Sequence, residues 1–142
     1  MKQRIFAVIL AIAILPLQLQ AEEETEMNDI KDVIEQFKKS GDQQNPELAE
    51  KSLHEESRIF YIGKDGVVVT RKEGYLRALE SKVIGGTERE MSVERIEITG
   101  AVATAHVQFS SNEALFDQFV NLVKSESGWQ IVNIVLNFQP KG

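Results

Sequence analysis

The residues best suited to chemistry are His106 and Asp117, which lie on neighbouring β-rich segments joined by a turn at Ser111-Asn112. If that turn closes without a bulge, positions whose numbers sum to about 223 face each other, and His106 lies opposite Asp117. A carboxylate beside a histidine fixes its tautomer and favours its charged form, as a general acid or base requires. A structural cross-strand pair has the same signature, and a one-residue bulge would separate the two side chains.

Other polar side chains lie on segments that are otherwise apolar. Tyr61 and Tyr75 could each point a hydroxyl into a cavity, although tyrosines in cores usually bond a neighbouring backbone group. Gln108 and Asn133 lie on β-rich segments, where a buried amide needs a partner with or without a ligand. The predicted ligand-binding residues are therefore Tyr61, Tyr75, His106, Gln108, Asp117 and Asn133.

The residue patterns of most other chemistries are missing from the sequence. It has no cysteine and only two histidines, without a carboxylate–histidine spacing that suits a metal ion. It contains no Gly-x-Ser-x-Gly elbow and no phosphate-cradling glycine loop, and we expect no cofactor. The formal charge of −6 disfavours nucleic acid, which attracts clustered lysine and arginine. What remains is acid–base catalysis by one histidine or carboxylate in an apolar pocket, or binding without a reaction.

Residues 1–21 are typical of a secretory signal peptide. Lys2 and Arg4 give a positive start, an apolar run covers residues 5–17, and Ala21 offers a small residue for cleavage. The run is too short for a membrane anchor, and a chain without cysteine has neither a lipid-attachment site nor a disulfide. We therefore expect a periplasmic or secreted protein that is free of the membrane after cleavage. Loss of the leader makes the formal charge two units more negative.

The rest of the chain is predicted to form one domain, residues 28–142, preceded by an acidic leader at residues 22–27, because no repeat or linker divides it. Asn28 is predicted to cap a first helix, which stops near Gly41. A second, short helix is predicted to begin at Asn45-Pro46.

A third helix and a run of strands follow. Thr70 and Glu73 form a capping box, and this third helix is predicted to end at Gly85-Gly86. A small hairpin is predicted before it, around Asp65-Gly66, and a bulge after it, near Glu94-Arg95, where the apolar alternation changes phase. Helices early and long strands late indicate an α+β domain, with helices packed on one face of a curved, mainly antiparallel sheet.

Three motifs carry a resemblance to a known family. They are SGD at residues 40–42, FDQFVNLVK at residues 116–124 and GWQIVN at residues 128–133. With the order of elements from Asp29 onward, they resemble the nuclear-transport-factor-2-like superfamily, and within it the small secreted proteins named "putative lumazine-binding". The resemblance implies a cone-shaped half-barrel with a pocket between sheet and helices, commonly as a homodimer packed through the sheet.

Three functions fit this sequence. The first is an exported module that binds a small, mostly apolar or aromatic molecule with a few polar contacts, without an assigned reaction. The second is an isomerase, cyclase or dehydratase that uses His106 and Asp117, and the third is a non-catalytic dimerisation module. An open cavity lined by His106 and Asp117 would favour the enzyme, an open cavity without them the binding module, and a filled one the third.

The last strand is predicted to bury Trp129 and to leave an apolar outer face. Alternate residues of a strand point to opposite faces, so the outer face carries one of two sets. The sets are Trp129, Ile131 and Val135, or Val132, Ile134, Leu136 and Phe138. Exposed apolar patches mark interfaces, and two-fold self-association is the commonest solution. We therefore expect a homodimer through the outer sheet face, with Ile134 or one of these alternates near its centre.

Overall fold

A computed structural model describes the backbone of residues 6–142 and the side chains of residues 16–142. The described elements are α1 (Phe6–Asp42), α2 (Pro46–Ser52), β1 (Leu53–Gly63), β2 (Gly66–Arg71), α3 (Lys72–Glu80), β3 (Glu90–Thr99), β4 (Val102–Ser110), β5 (Ala114–Ser125) and β6 (Gly128–Pro140). The strands form one curved, unclosed sheet in the order β2-β1-β6-β5-β4-β3. Neighbouring strands are antiparallel except for the parallel pair β1 and β6. The predicted α+β class and mainly antiparallel sheet are confirmed.

The helices pack against one side of the sheet, called here the helix face; the other side is the outer face. Ile30, Ile34 and Phe37 form the buried stripe of α1, at the spacing that places side chains on one side of a helix. Alternate residues of the central strands meet this stripe because successive side chains of a strand point to opposite faces. Those buried residues include Ala105, Val107 and Phe109 of β4 and Val120 and Leu122 of β5.

The first helix is longer than predicted. Asn28 lies inside α1 rather than at its N-cap, because residues 16–27 contain strong helix formers and no glycine. Residues 16–25 are exposed, and from residue 16 onward the first fully buried side chain of the helix is Ile30. The positive start of the predicted signal peptide, Lys2 and Arg4, lies outside the described residues. Among residues 6–142, no helix combines the length and the apolar character needed to cross a membrane.

The ends of the shorter helices agree with the prediction only in part. Asn45 caps α2 as predicted, since its side-chain oxygen accepts a hydrogen bond from the backbone N–H of Glu47 at 3.0 Å. The predicted capping box is wrong, because β2 continues through Arg71, which is the N-cap of α3 and makes no side-chain capping bond. The predicted end at Gly85-Gly86 is also wrong. Lys82 adopts a positive φ of 59°, and the chain leaves the helix after Glu80.

Three register shifts interrupt the sheet, and the one between Leu53 and Arg58 of β1 lies beside β6. The predicted bulge near Glu94-Arg95 is confirmed by a register shift between β3 and β4. A second bulge, at Val132 of β6, was not predicted, and it puts residues of both parities on the helix face. Ile134 is consequently only 1% exposed on that face, so the prediction is wrong for Ile134, which cannot lie at the centre of an outer-face interface. Val135, one of the predicted alternates, is 49% exposed on the outer face.

Candidate functional site

An open cavity of about 620 Å³ lies between the helix face of the sheet and helices α1 and α3. Much of its wall is apolar, and it includes Phe37 of α1 together with Phe109, Phe116, Ile134 and Leu136 of the sheet. Ligand cavities in proteins usually enclose about 300–1,000 Å³ and have mainly apolar walls with a few polar groups. The cavity therefore has the size and the chemistry of a small-molecule site.

Two of the predicted binding residues, Tyr61 and Tyr75, do line this cavity. Burial raises the pKa of Tyr75 above its ordinary value. A hydrogen bond with the Ser40 side chain and, to a smaller extent, the positive charge of Arg89 act in the opposite direction and lower this pKa. The Tyr75 hydroxyl is therefore protonated at neutral pH and can donate a hydrogen bond. Its ring packs against Phe37 with 5.3 Å between the ring centroids, which fixes the side chain against α1.

Gln118 is the most deeply buried polar side chain in the cavity wall. It is 3% exposed, and its Nε2 has no hydrogen-bond partner among the described residues. It lies on the helix face of β5, in phase with Phe116, Val120 and Leu122. Gln118 was not among the predicted binding residues, although a polar residue in phase with an apolar stripe is a recognisable signal.

Arg89 lines the cavity and is held by a buried cluster with Lys38 and Asp42. Its Nε donates to Asp42 Oδ1 at 2.6 Å, and its Nη2 donates to the backbone oxygen of Lys38 at 3.0 Å. Lys38 Nζ donates to Asp42 Oδ2 at 3.0 Å and to the backbone oxygen of Arg89 at 2.7 Å. The guanidinium also stands over the ring of Phe116, with 4.7 Å from its carbon to the centroid. Arg89 lies in the segment before β3, where the sequence has no helical or strand periodicity, and it was not among the predicted site residues.

The SGD motif, residues 40–42, joins this cluster to the segment after α3. A Cβ on Gly41 would lie 2.6 Å from Arg89 Nη2, and one on Gly85 would overlap the backbone oxygen of Gly41. That same oxygen accepts a hydrogen bond from the N–H of Gly86 at 3.0 Å. Glycine is needed at position 85 because the two backbones touch there, whereas a side chain at position 41 would meet the end of the Arg89 side chain. The motif thus positions Arg89 and the rim of the cavity.

His106 and Asp117 make the predicted contact, but on the outer face of the sheet. His106 Nε2 and Asp117 Oδ1 are 2.7 Å apart, and each side chain is a little over one quarter exposed. The predicted register is wrong by two residues: His106 faces Phe119, Asp117 faces Gln108, and the contact is diagonal. A shift of two residues keeps both side chains on one face. The imidazole stacks on the ring of Phe119, with centroids 4.5 Å apart.

Gln108 and Asn133 lie on the outer face as well. Gln108 alternates with Val107 and Phe109, whose side chains fill the core, so its own side chain points the other way. Asn133 Oδ1 accepts a hydrogen bond from Asn121 Nδ2 at 3.0 Å across the β5–β6 pair. Four of the six predicted binding residues, His106, Gln108, Asp117 and Asn133, are therefore separated from the cavity by the sheet.

Metal ligation has no candidate in the described part of the chain. Within residues 6–142, no three histidine, cysteine, aspartate or glutamate residues come together in a group that could hold a metal ion. The ionisable side chains that line the cavity are those of Tyr61, Tyr75, Arg89 and Glu113.

Solved structures show the same architecture. An NTF2-like protein of unknown function from Shewanella baltica OS155 matches 82% of this chain and 96% of its own, with 21% identity and a TM-score of 0.73. A nuclear transport factor 2-like superfamily protein from Salmonella enterica serovar Typhimurium LT2 matches 84% of this chain and 94% of its own, with 17% identity and a TM-score of 0.62. A ketosteroid isomerase-like protein from Erwinia carotovora atroseptica matches 80% of this chain and 95% of its own, with 12% identity and a TM-score of 0.66.

At these identities the likeness concerns the fold alone, and it confirms the nuclear-transport-factor-2-like architecture that the sequence predicted. No curated protein matches the chain. Residues 25–137 match the family described as "Putative lumazine-binding". Because the match covers most of the chain, this protein belongs to that family, within the nuclear-transport-factor-2-like superfamily.

Proposed function

We propose that this protein binds a small, mostly apolar molecule in the cavity between its helices and its sheet. The observation that carries the proposal is the open cavity of about 620 Å³, whose wall includes four phenylalanines, Phe37, Phe109, Phe116 and Phe138. Burial of a ligand against such a wall is favourable, at roughly 25 cal/mol per Å² of apolar surface removed from water. The family's description also concerns a small molecule, lumazine, and a fused-ring compound of that kind suits a cavity of this size.

The polar contacts of the ligand come from Tyr61, Tyr75, Gln118 and Arg89. All four line the cavity, and they belong to β1, α3, β5 and the segment before β3. Polar groups that converge from separate elements can fix the orientation of a ligand, while the apolar wall supplies most of its affinity.

The position of His106 and Asp117 supports binding over catalysis by that pair. Their side chains meet on the outer face, so a molecule in the cavity cannot exchange a proton with either of them directly. A general acid or base must come within hydrogen-bond reach of the proton that it transfers. The open cavity likewise counts against the dimerisation module, in which the domain's own side chains would fill this space.

Titration with 1-aminoanthracene, a neutral dye that fluoresces more strongly in apolar surroundings, tests the proposal. Ala78 of α3 lines the cavity, so Ala78→Trp adds a large side chain there. We expect the wild type to bind the dye and this variant to bind it at least about tenfold more weakly, the loss expected when apolar contact in a pocket is removed. His106→Gln is the control on the outer face and leaves the affinity unchanged. Equal binding by the wild type and Ala78→Trp would contradict the proposal.

We also propose that the protein forms a homodimer through the outer face. Phe119 and Val135 are direct cross-strand partners there, and they are 48% and 49% exposed. Phe60 of β1 pairs with Val135 on its other side, and Val69 of β2 pairs with Phe60. These residues, Val69, Phe60, Val135 and Phe119, form an apolar row across four adjacent strands. Three of the four residues are exposed and Phe60 is half-buried. A contiguous apolar row of this kind is typical of an interface, and two-fold self-pairing would cover it.

A further inference from the structure

The binding site proposed above contains an amide donor that the described part of the protein leaves without an acceptor. Gln118 lines the cavity, is 3% exposed, and its Nε2 makes no hydrogen bond to any described residue. Buried polar groups in native proteins are nearly always paired, so an exception calls for a physical explanation. A ligand that supplies the missing acceptor explains it.

The neighbours of Gln118 in the sheet cannot supply that acceptor. Its cross-strand partners are Val107 of β4 and Leu136 of β6. The next residues on the same face of β5 are Phe116 and Val120, and every diagonal neighbour on β4 and β6 is apolar as well. Those diagonal neighbours are Ala105, Phe109, Ile134 and Phe138. Eight apolar side chains therefore surround the amide on the sheet, and only the cavity side is open to an acceptor.

On this basis, and resting on the proposed function, we propose that the amide of Gln118 donates a hydrogen bond to a carbonyl oxygen of the ligand. The amide can present its NH₂ group to the cavity by turning about the Cγ–Cδ bond, a torsion with broad wells. The ligand is thus a neutral carbonyl compound on a mostly apolar frame, such as an aromatic ketone, lactone or lactam. A pure hydrocarbon of the same shape would leave the Gln118 donor unpaired.

The charges around the cavity favour a neutral carbonyl over a carboxylate. Asp42 accepts hydrogen bonds from both Arg89 and Lys38, and Glu35 is a second ionic partner of Lys38 at 3.3 Å. The cations near the cavity are therefore already neutralised by acidic side chains. A ligand anion placed among the apolar neighbours of Gln118 would be buried without a counter-ion, which is far more costly than burying a neutral carbonyl.

Two probes with the same bicyclic frame isolate the carbonyl. 1-Tetralone carries one carbonyl oxygen that tetralin lacks, and displacement of 1-aminoanthracene reports the affinity of each. We expect wild-type protein to bind the ketone about tenfold more tightly than the hydrocarbon, because only the ketone supplies an acceptor for the Gln118 donor, which stays unpaired when the hydrocarbon binds. Gln118→Met keeps the length of the side chain without its donor, and we expect it to bind the two probes within about twofold. Gln108→Met, the same substitution on the outer face, keeps the full preference.

Each outcome decides between the inference and the proposed function. Equal binding of both probes by wild type, or a ketone preference that survives in Gln118→Met, overturns the role of Gln118 while cavity binding stands. Tighter binding of 1,2,3,4-tetrahydro-1-naphthoate than of the ketone overturns the assignment of a neutral ligand. Absence of binding by both probes and by the dye overturns the proposed function itself. If Gln118→Met fails to fold, Gln118→Leu provides the same comparison.

Discussion

Replacing Gln118 by methionine should stabilise the ligand-free protein. The change removes an amide whose Nε2 has no partner in the part of the chain that the structure describes, and it adds an apolar side chain of similar length next to Val107 and Leu136. A buried donor without an acceptor costs about 1–3 kcal/mol. Methionine adapts to irregular apolar space, so little of that gain is lost to strain. We expect the free energy of unfolding to rise by about 1–2 kcal/mol.

Urea unfolding followed by tryptophan fluorescence measures this change. Trp129 is the only tryptophan in the chain and is 4% exposed in the folded state, so its emission reports global unfolding. Gln108→Met on the outer face is the matched control and should change stability by less than about 0.5 kcal/mol. A loss of stability greater than about 1 kcal/mol in Gln118→Met would refute the reasoning, because it would mean that the amide is already paired in the free protein.

Three further substitutions and one sequencing experiment test other parts of the account. Trp129→Ala should lower the free energy of unfolding by about 3–5 kcal/mol, as expected for a buried large aromatic, and urea unfolding measures it; a loss below about 1 kcal/mol would contradict its place in the core. Asp42→Asn should cost about 3 kcal/mol or more, because Lys38 and Arg89 lose their shared carboxylate, and a change near zero would contradict that cluster. Val135→Asp should convert the proposed dimer to monomer in sedimentation at micromolar concentration, whereas a sedimentation profile identical to wild type would exclude this face. N-terminal sequencing of exported protein should begin at Glu22, and recovery of uncleaved chain in the membrane fraction would refute export in free form.

The fold could be predicted from the sequence because local signals agreed with one another. The spacing of Ile30, Ile34 and Phe37, the Asn45 cap and the phase change near Glu94 each specify a local structure that the protein adopts. The bulge at Val132 has no comparable signal, since apolar residues stand at both odd and even positions between Ile131 and Leu136 and their alternation shows no change of phase. One inserted residue reverses the sheet face to which each later side chain of the strand points. Ile134 therefore lies in the core and Val135 on the surface.

The site was less predictable, because it depends on which face of the sheet the helices cover. The contact between His106 and Asp117 was anticipated, since strand pairing is local, but their place on the outer face follows from the packing of Val107 and Phe109 under α1. Gln118 could have been found by its phase with Phe116 and Val120. Arg89 could not, because its role depends on a contact with Asp42 that spans 47 residues.

Methyl NMR of the protein during titration with 1-tetralone tests the central claim most directly. Ile134 and Leu136 of β6 line the cavity, whereas Val135 of β6 and Val69 of β2 lie on the outer face, so β6 carries reporters of both surfaces and β2 adds a second reporter of the outer face. Occupation of the cavity should shift the methyl signals of Ile134 and Leu136 in a saturable way and leave those of Val69 and Val135 in place. Saturable shifts confined to Val69 and Val135, or no shifts at any of the four residues, would contradict ligand binding in the cavity.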